Sequence, residues 1–394
     1  TLVEHQLIEQ YRKLLTWDHA EGFFAPGGST SNLCGIALGR DRAFPHVQRE
    51  GWQAGDKPAV FVSKDGHYST KKSCGLLGIG YSGCIGVETD ARNRMCPEKL
   101  RSALAKAVDE GRKPTCVVVT SGSTLTGAAD RVDEIIEVCK PYGVWVHVDG
   151  AFGGGVIHSP KHRWNLNGVE NADSFAMNPH KMLGSTQQCA IFLTSQKGSM
   201  RKQFATNAAY LFNEDKQYDQ SYDVGDSIFQ CGRRVDCLKL WLMWRQRGDV
   251  GMAAYIDRAV KANVDFAAVV RERKGQFRLM LAETDVVPAT CFWWVPEELS
   301  HIDDILDPEL FDVVDYVVPR AKKAMMKSGY AVLTMSRMQG IPNFWRFIGN
   351  GGTDWTTKQF NEFLDQVHWA CRQAYEKRAT STPMSPAGQT PCCA

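Results

Sequence analysis

The stretch Val144-Trp145-Val146-His147-Val148-Asp149-Gly150-Ala151-Phe152-Gly153-Gly154-Gly155 joins a short apolar run to an acid and a glycine-rich turn. A run that is apolar at nearly every position predicts a strand buried on both faces, which is typical of parallel sheets. Similar runs that predict further strands occur at 59–63, 116–121, 174–177 and 190–194. The amphipathic patterns at 97–110 and 132–142 predict helices between them. This alternation predicts an α/β fold with a parallel sheet.

The pattern changes after a long helical stretch over 235–274, which is broken near Gly248. Short strands are predicted beyond it at 277–281, 290–295, 331–335 and 344–348, with helices at 308–327 and 356–378. This mixture predicts a smaller α+β domain. We therefore expect four regions: an N-terminal helix (1–20), a large domain (21–275), a small C-terminal domain (276–380) and a disordered tail (381–394).

Composition narrows the classes of partner. The 394 residues include 46 Lys and Arg and 44 Asp and Glu, so the formal net charge is +2 and predicts no nucleic-acid partner. No run of about 18 apolar residues predicts a membrane span. The 13 cysteines are scattered without a C-x-x-C pair, which predicts a cytoplasmic protein without a zinc site. The Cys392-Cys393 pair is either a metal or lipid site or part of a disordered end.

A glycine-rich segment, Ala25-Pro26-Gly27-Gly28-Ser29-Thr30-Ser31-Asn32, precedes a helical pattern that runs to Arg42. Backbone N–H groups at the start of a helix can bind an anion, and the helix dipole favours negative charge there. The segment therefore fits a phosphate cradle, although a plain helix cap by Ser29 or Ser31 explains the same residues. It has neither the lysine of a Walker A loop nor the third glycine of a dinucleotide fingerprint.

Three chemically useful side chains follow predicted strands: Asp149, Lys181 and His67. The carboxyl ends of parallel strands are where α/β proteins bind ligands. A carboxylate there needs a cation or donors, a desolvated lysine amine forms Schiff bases with carbonyl cofactors, and a histidine ring can stack on a planar group. Each also has a plainer explanation, because Asp149 could cap a turn, Lys181 could face solvent and His67 could be an ordinary loop residue.

In combination, the anion cradle, the strand-end acid and the strand-end amine fit one ligand. That ligand carries a phosphate, a basic aromatic nitrogen and an aldehyde, which describes pyridoxal phosphate. An acid beside the ring nitrogen keeps it protonated, so that the ring can accept electrons.

At Asn178-Pro179-His180-Lys181 the chain resembles the group II pyridoxal-phosphate decarboxylases, and most closely their branch that acts on acidic amino acids. The segments that carry the resemblance span nearly the whole chain: 25–32, 67–72, 147–154, 178–189, 210–223, 230–244, 291–293 and 343–347. The resemblance implies a fold-type I enzyme with a mostly parallel seven-stranded sheet, flanking helices and a smaller C-terminal domain. It also implies a homodimer with the active site at the subunit interface.

The resemblance assigns roles around the cofactor. Lys181 resembles the lysine that holds pyridoxal phosphate covalently, and Asp149 resembles its pyridinium partner. His67 resembles the histidine that stacks on the ring, and Ala151 the residue that packs beneath it.

Further roles follow from the same resemblance. The residues implied to bind the phosphate or lie near the cofactor are Gly28, Ser29, Thr30, Thr124 and His180. Tyr210 falls in the family's mobile catalytic loop, where a tyrosine protonates the reaction intermediate. Arg346 matches the arginine that binds the substrate α-carboxylate.

Two departures from the family pattern concern the shape of the pocket. The chain has Ser121-Gly122-Ser123-Thr124 where the family usually has Ala-Gly-Thr-Thr, and Asp149-Gly150-Ala151-Phe152 where it usually has Asp-Ala-Ala-Trp. A third departure is at the start, where we expect the family's N-terminal segment, ahead of the helix matching 2–17, to be absent.

The function implied is α-decarboxylation of a small acidic amino acid. The segment 231–241 favours cysteine sulfinate, which gives hypotaurine. Glutamate, which gives γ-aminobutyrate, and aspartate, which gives β-alanine, stay open. So do an oxidative enzyme that makes an aldehyde and an inactive cofactor-binding dimer partner that lacks the N-terminal segment.

Overall fold

The computed structural model describes residues 1–206, 217, 224–281, 289–329 and 333–380. The chain divides into two compact units. The first consists of Thr1–Asn263, Glu283–Ala289 and Ile348–Asp354, and the second of Val264–Ala282, Thr290–Phe347 and Trp355–Ala394. The domain boundaries expected at residues 20, 275 and 380 stay predictions. The predicted disordered tail, 381–394, lies outside the described residues.

A seven-stranded sheet forms the centre of the first unit, with the strand order β1-β7-β6-β5-β4-β2-β3. Its strands are β1 (Glu21–Ala25), β2 (Pro58–Ser63), β3 (Cys84–Val87), β4 (Lys113–Thr120), β5 (Trp145–Gly150), β6 (Ser174–Met177) and β7 (Ala190–Thr194). The α-helices between residues 1 and 204 are α1 (Leu2–Leu15), α2 (Gly28–Ala43), α3 (Val47–Glu50), α4 (Ser69–Leu76), α5 (Pro97–Asp109), α6 (Val132–Cys139) and α7 (Ser199–Phe204).

The sheet is mostly parallel, as predicted, but one strand is reversed. β2, β3, β4, β5 and β6 run parallel, whereas β7 is antiparallel to both β6 and β1. No α-helix lies in the described connection 178–189, so the chain turns back on itself instead of crossing over. Because β1 is antiparallel to β7, it points in the same direction as β6. The carboxyl ends of β1, β4, β5 and β6 therefore share one edge of the sheet.

Helix α2 packs closely across the middle of this sheet, against β4, β5, β6 and β7. Two glycines one turn apart make the approach possible. A Cβ at Gly35 would lie 2.5 Å from His147 Nδ1, and one at Gly39 would lie 2.9 Å from the Thr115 carbonyl oxygen. The close approach brings the first turn of α2 to the ligand-binding edge of the sheet.

The second unit has a four-stranded antiparallel sheet in the order β10-β11-β9-β8. Its strands and helices are β8 (Phe277–Leu279), β9 (Thr290–Trp294), α9 (Pro308–Ser328), β10 (Thr334–Met338), β11 (Ile341–Phe347) and α10 (Thr357–Thr380). The long helix α8 (Asp236–Glu272) is interrupted at Gly248 and contributes residues to both units. An aromatic core of Phe266, Phe292, Phe347 and Phe360 supports the small sheet.

The described residues contain neither a membrane-spanning helix nor a metal-binding cluster. None of their helices is long and apolar enough to span a membrane. No cluster of three or more His, Cys, Asp or Glu side chains is placed to hold a metal ion among them.

Candidate active site

A cavity of about 330 Å³ opens at the edge where β4, β5 and β6 end and α2 begins. The described residues that line it are Gly28, Ser29, Asn32, His67, Tyr68, Thr120, Gly122, Thr124, Asp149, Ala151, Phe152, Asn178, Lys181 and Gln187. The parallel strands explain this convergence, because their carboxyl ends lie at the same edge of the sheet. All of these residues belong to the first unit.

The first turn of α2 forms one wall of the cavity. Helix α2 begins at Gly28, directly after β1, and Gly28 and Ser29 line the cavity. No side chain in the described part of the chain caps this helix, so the plain cap by Ser29 or Ser31 is not observed. The Thr30 N–H donates to the Gly27 carbonyl oxygen at 3.0 Å, and Thr30 is absent from the described cavity lining. The start of α2 is therefore suited to an anion, with Gly28 and Ser29 nearest to it.

The Asp149 carboxylate forms a second wall and is only 6% exposed. Its Oδ1 accepts a hydrogen bond from the Ala151 N–H at 3.0 Å, and its Oδ2 accepts one from Asn32 Nδ2 at 2.7 Å. Asp149 thus does cap the following turn, and it also lines the cavity. A buried carboxylate with unused lone pairs toward a cavity is suited to a cationic partner, such as a protonated ring nitrogen.

Lys181 lies in a tight turn after β6. Its N–H donates to the Asn178 carbonyl oxygen at 2.9 Å, and its own carbonyl oxygen accepts from the Gly184 N–H at 3.1 Å. Lys181 is an exposed residue, but it lines the same cavity as Asp149. Its amine is therefore accessible to a carbonyl compound bound between the α2 terminus and β5.

His67 lies on the opposite side of the cavity, between β2 and α4. Its Nδ1 is 2.7 Å from Ser69 Oγ, and its ring lies 4.3 Å from that of Tyr68. Burial lowers the pKa of His67, Lys181 lowers it further, and Asp149 opposes the shift. A lowered pKa favours the neutral imidazole, and His67 lines the same cavity as Asp149 and Lys181.

The remaining predicted site residues are placed differently. Thr124 lines the cavity, whereas His180 is missing from the described lining and directs its Nδ1 to the backbone of Cys189. Tyr210 lies outside the described residues. Arg346 lies on β11 of the second unit, where burial lowers its pKa. Its Nε has no hydrogen-bond partner among the described residues.

Sequence reasoning missed several residues that line the cavity, among them Asn32, Tyr68 and Asn178. Asn32 and Asn178 are almost fully buried. The signal that could have identified them is a polar residue at a position that the sequence pattern assigns to the core. Asn32, on the sheet-facing side of α2, is an example. A buried amide requires hydrogen-bond partners, which are often functional groups of a site.

Comparison with known proteins agrees with this geometry. Residues 1–295 match the family model described as the pyridoxal-dependent decarboxylase conserved domain. The chain belongs to the pyridoxal-dependent decarboxylase family. This confirms the predicted family, its fold class and its cofactor, pyridoxal phosphate.

Individual members of the pyridoxal-dependent decarboxylase family show how far the similarity extends. The acidic amino acid decarboxylase GADL1 of Bos taurus is 39% identical over 348 residues, which are 88% of this chain and 66% of that protein. The cysteine sulfinic acid decarboxylase of Mus musculus is 38% identical, covering 88% of this chain and 70% of its own length. The chain thus spans about two thirds of the length of these relatives. The crystal structure of mouse CSAD superimposes with a TM-score of 0.87 at 35% identity, over 94% of this chain and 75% of that one.

The cavity fits the cofactor of the pyridoxal-dependent decarboxylases. An accessible amine, a buried carboxylate and a helix N-terminus match the aldehyde, the ring nitrogen and the phosphate of pyridoxal phosphate. Two polar atoms of lining residues, Thr120 Oγ1 and Asn178 Oδ1, are buried without a hydrogen-bond partner in the described part of the chain. Such atoms are suited to a polar ligand, because an unsatisfied buried polar group destabilises the protein.

Proposed function

We propose that this protein decarboxylates a small acidic amino acid with pyridoxal phosphate and that cysteine sulfinate is its preferred substrate. The observation that supports this most is the convergence of Lys181, Asp149 and the start of α2 on one cavity. Relatives at 38–39% identity that are named acidic amino acid decarboxylase and cysteine sulfinic acid decarboxylase support the substrate class. Glutamate and aspartate are the alternative substrates.

The proposed residues have two kinds of role: some bind the cofactor and others control the position of protons. Lys181 would hold the cofactor covalently through its amine, and Asp149 would keep a proton at the ring nitrogen. The backbone N–H groups of Gly28 and Ser29 would bind the phosphate. His67 would stack on the ring, and its lowered pKa would favour an uncharged imidazole there. When bound, pyridoxal phosphate supplies the electron sink for decarboxylation.

Two further roles, those of Arg346 and Tyr210, come from the resemblance of their sequence motifs to the family. We propose that Arg346 binds the substrate α-carboxylate and that Tyr210 donates a proton to the substrate Cα. The half-buried guanidinium of Arg346, with an Nε donor that has no partner among the described residues, suits a carboxylate ligand. We also propose that the protein is a homodimer with the active site at the subunit interface. We propose a cytoplasmic location as well, because the described cysteines are free thiols.

The decisive experiment measures product from each candidate substrate separately. The full chain is loaded with pyridoxal phosphate and given cysteine sulfinate, glutamate or aspartate, and carbon dioxide and amine are quantified. We expect the highest kcat/KM with cysteine sulfinate. Lys181→Ala is the control and should lack both the absorbance band of the lysine-bound cofactor and turnover. A wild-type protein that shows this band but releases no carbon dioxide from any of the three contradicts the proposal and favours the inactive dimer partner.

The Tyr210→Phe variant tests the proton donor. We expect amine formation to fall about a hundredfold, because a positioned general acid typically contributes that much, while cofactor binding stays unchanged. The measurement is the rate of amine release beside a spectral titration with pyridoxal phosphate. Normal release of the amine by Tyr210→Phe would exclude the assigned role.

A further inference from the structure

A continuous chain of buried hydrogen bonds leads from the interior of the sheet to both sides of the cavity. It begins at Trp145 and Ser174, continues through His147 on β5 to Asn32 on α2, and divides there. One branch ends at Asp149 and the other passes through Ser69 to His67. Asn32 is 1% exposed, His147 and Ser174 are fully buried, and Ser69 is 1% exposed, so no member before the cavity is open to solvent.

The first part of the chain joins Trp145 to Asn32 through Ser174 and His147. Trp145 Nε1 can only donate, and it donates to Ser174 Oγ at 2.8 Å. The Ser174 hydroxyl proton is then available for His147 Nδ1, also at 2.8 Å. Burial lowers the pKa of His147 to about 4, so the ring is neutral and carries its proton on Nε2. That N–H donates to Asn32 Oδ1 at 3.0 Å.

The orientation of the Asn32 amide follows independently from the other side. A carboxylate only accepts, so Asn32 Nδ2 must face Asp149 Oδ2, at 2.7 Å. The second Nδ2 proton is directed to Ser69 Oγ at 3.0 Å. The Ser69 backbone N–H donates to His67 Nδ1 at 3.3 Å, so Nδ1 is an acceptor, the Ser69 hydroxyl proton is directed to it at 2.7 Å, and the His67 ring proton is on Nε2. With the Asn32 amide fixed by Asp149, Asn32 Oδ1 accepts from His147 Nε2, which therefore carries the His147 ring proton.

We propose that Asn32 is a positioning residue whose one side-chain amide holds both the Asp149 carboxylate and, through the Ser69 hydroxyl, the ring of His67. This inference deepens the proposed function, since Asp149 and His67 are the residues assigned to the cofactor ring. His147 holds the amide in the required orientation. The consequence is that the Asp149 carboxylate and the His67 ring cannot reorient independently.

The test compares variants that cut the chain at different points. Asn32→Ala removes both branches, whereas Ser69→Ala removes only the branch to His67. Asn263→Ala is the matched control, because it removes another buried amide, 2% exposed, that donates to the Ala259 carbonyl oxygen outside the cavity lining. The readouts are the ¹⁵N shifts of His67, which distinguish its tautomers in protein labelled at histidine, and the dissociation constant of pyridoxal phosphate.

We expect the Nε2–H tautomer throughout, with the same His67 Nδ1 shift in the wild type and in Asn263→Ala, and a changed Nδ1 shift in Ser69→Ala and Asn32→Ala, where the short hydrogen bond from the Ser69 hydroxyl is lost or weakened. The dissociation constant should rise about tenfold or more in Asn32→Ala, where the carboxylate loses a donor, and less than about threefold in Ser69→Ala. An unchanged Nδ1 shift in Asn32→Ala, or equal effects of Asn263→Ala, would overturn the proposal. Neither readout requires decarboxylation, so failure of the proposed activity would be recognised separately.

Discussion

The two hydrogen bonds to Asp149 determine what this side chain can do. Ala151 and Asn32 each donate to one carboxylate oxygen, and the buried position excludes competing water. A negative charge held in this way interacts more strongly with a cation in the cavity than an exposed carboxylate would. The chemistry of the site therefore depends on the charge of Asp149 as well as on its position.

Asp149→Asn keeps the shape of the side chain and removes its charge. We expect kcat to fall about a hundredfold or more, because the preorganised charge is lost. Steady-state kinetics on the best substrate measures this effect. Asp133→Asn is the control, since Asp133 is an exposed acid on α6. Equal kcat values for the wild type and Asp149→Asn would show that the carboxylate is not the partner of the ring nitrogen.

Among single residues, sequence reasoning located those that lie at the ends of strands. Asp149 and Lys181 line the cavity, and each comes at the end of an apolar run that is recognisable without a structure. Thr124, which also lines it, was implied by the family resemblance. Asn32 and Ser69 could not be found in this way, because their roles depend on the packing of α2 and α4 against the sheet. His147 was visible as a polar residue within a buried strand, but its partners were not.

Among the elements, α2 carries the strictest packing requirement. The Cβ of an alanine at position 35 would meet the His147 ring, whereas alanine favours a helix more than glycine does. The stability of a Gly35→Ala variant therefore depends on whether the steric overlap with His147 or the gain in helix propensity is larger.

Gly35→Ala should reduce the free energy of unfolding by about 1–3 kcal/mol, since overpacking outweighs the gain in helix propensity. Urea unfolding of the single variants and of Gly35→Ala/His147→Ala gives a double-mutant cycle. The alanine at position 35 should destabilise far less when the His147 ring is absent. Additive effects in this cycle would mean that the ring is not what Gly35 accommodates.

The N-terminal helix α1 is held by a buried ion pair. Glu4 accepts two hydrogen bonds from the Arg233 guanidinium, at 2.7 and 2.8 Å, and a third from the Phe24 N–H at 2.7 Å. The two side chains are 6% and 12% exposed, respectively. Loss of the cation would therefore leave a buried carboxylate without its partner.

Arg233→Met should destabilise the protein by about 3–5 kcal/mol, as expected for one partner of a buried ion pair. The adjacent exposed Arg234 provides the control variant Arg234→Met, which should be nearly neutral. Because Glu4→Gln/Arg233→Met removes the unpaired charge, the double variant should recover part of the loss. Thermal and urea unfolding measure these differences in stability. Equal stabilities of Arg233→Met and Arg234→Met would show that the ion pair contributes little.

The elements themselves were predictable where both faces of a strand are apolar. β6 and β7 have the predicted bounds, and α9 and α10 differ from prediction by one or two residues. β1 and β3 were not predicted, because Glu21-Gly22 and Gly86 weaken short apolar runs. The strand predicted at 331–335 is described as Thr334–Met338, since the hairpin to β11 turns only at Gln339-Gly340. The reversal of β7 depends on the tertiary path of residues 178–189.

For the molecule as a whole, buried neutral histidines make stability depend on pH. Burial lowers the pKa of His147 to about 4 and that of His158 to about 3. His158 Nε2 lies 3.0 Å from the Tyr11 hydroxyl, a hydrogen bond that the neutral ring makes. The unfolded chain takes up protons near the ordinary histidine pKa of about 6.5, whereas the folded chain does not. Stability is therefore retained above this pH and lost as the pH falls from 6.5 toward 4.

Each of these histidines should lower the free energy of unfolding by about 1.4 kcal/mol per pH unit within that window. Urea unfolding between pH 5 and pH 7.5 measures the slope. His158→Gln should reduce the slope by about one histidine's share, and His19→Gln, at a partly exposed position, should leave it nearly unchanged. The same slope in all three proteins would contradict burial as the cause.

The reversed strand also has a consequence for synthesis on the ribosome. β1 is translated first, yet its hydrogen-bonding partner is β7, at residues 190–194. At ordinary rates of translation, roughly ten to thirty seconds separate the two strands. During most of this interval the start of α2 exists without the turn that carries Lys181. A nascent chain that ends before Lys181 is therefore expected to be unable to hold the cofactor covalently, however much of its sheet has already formed.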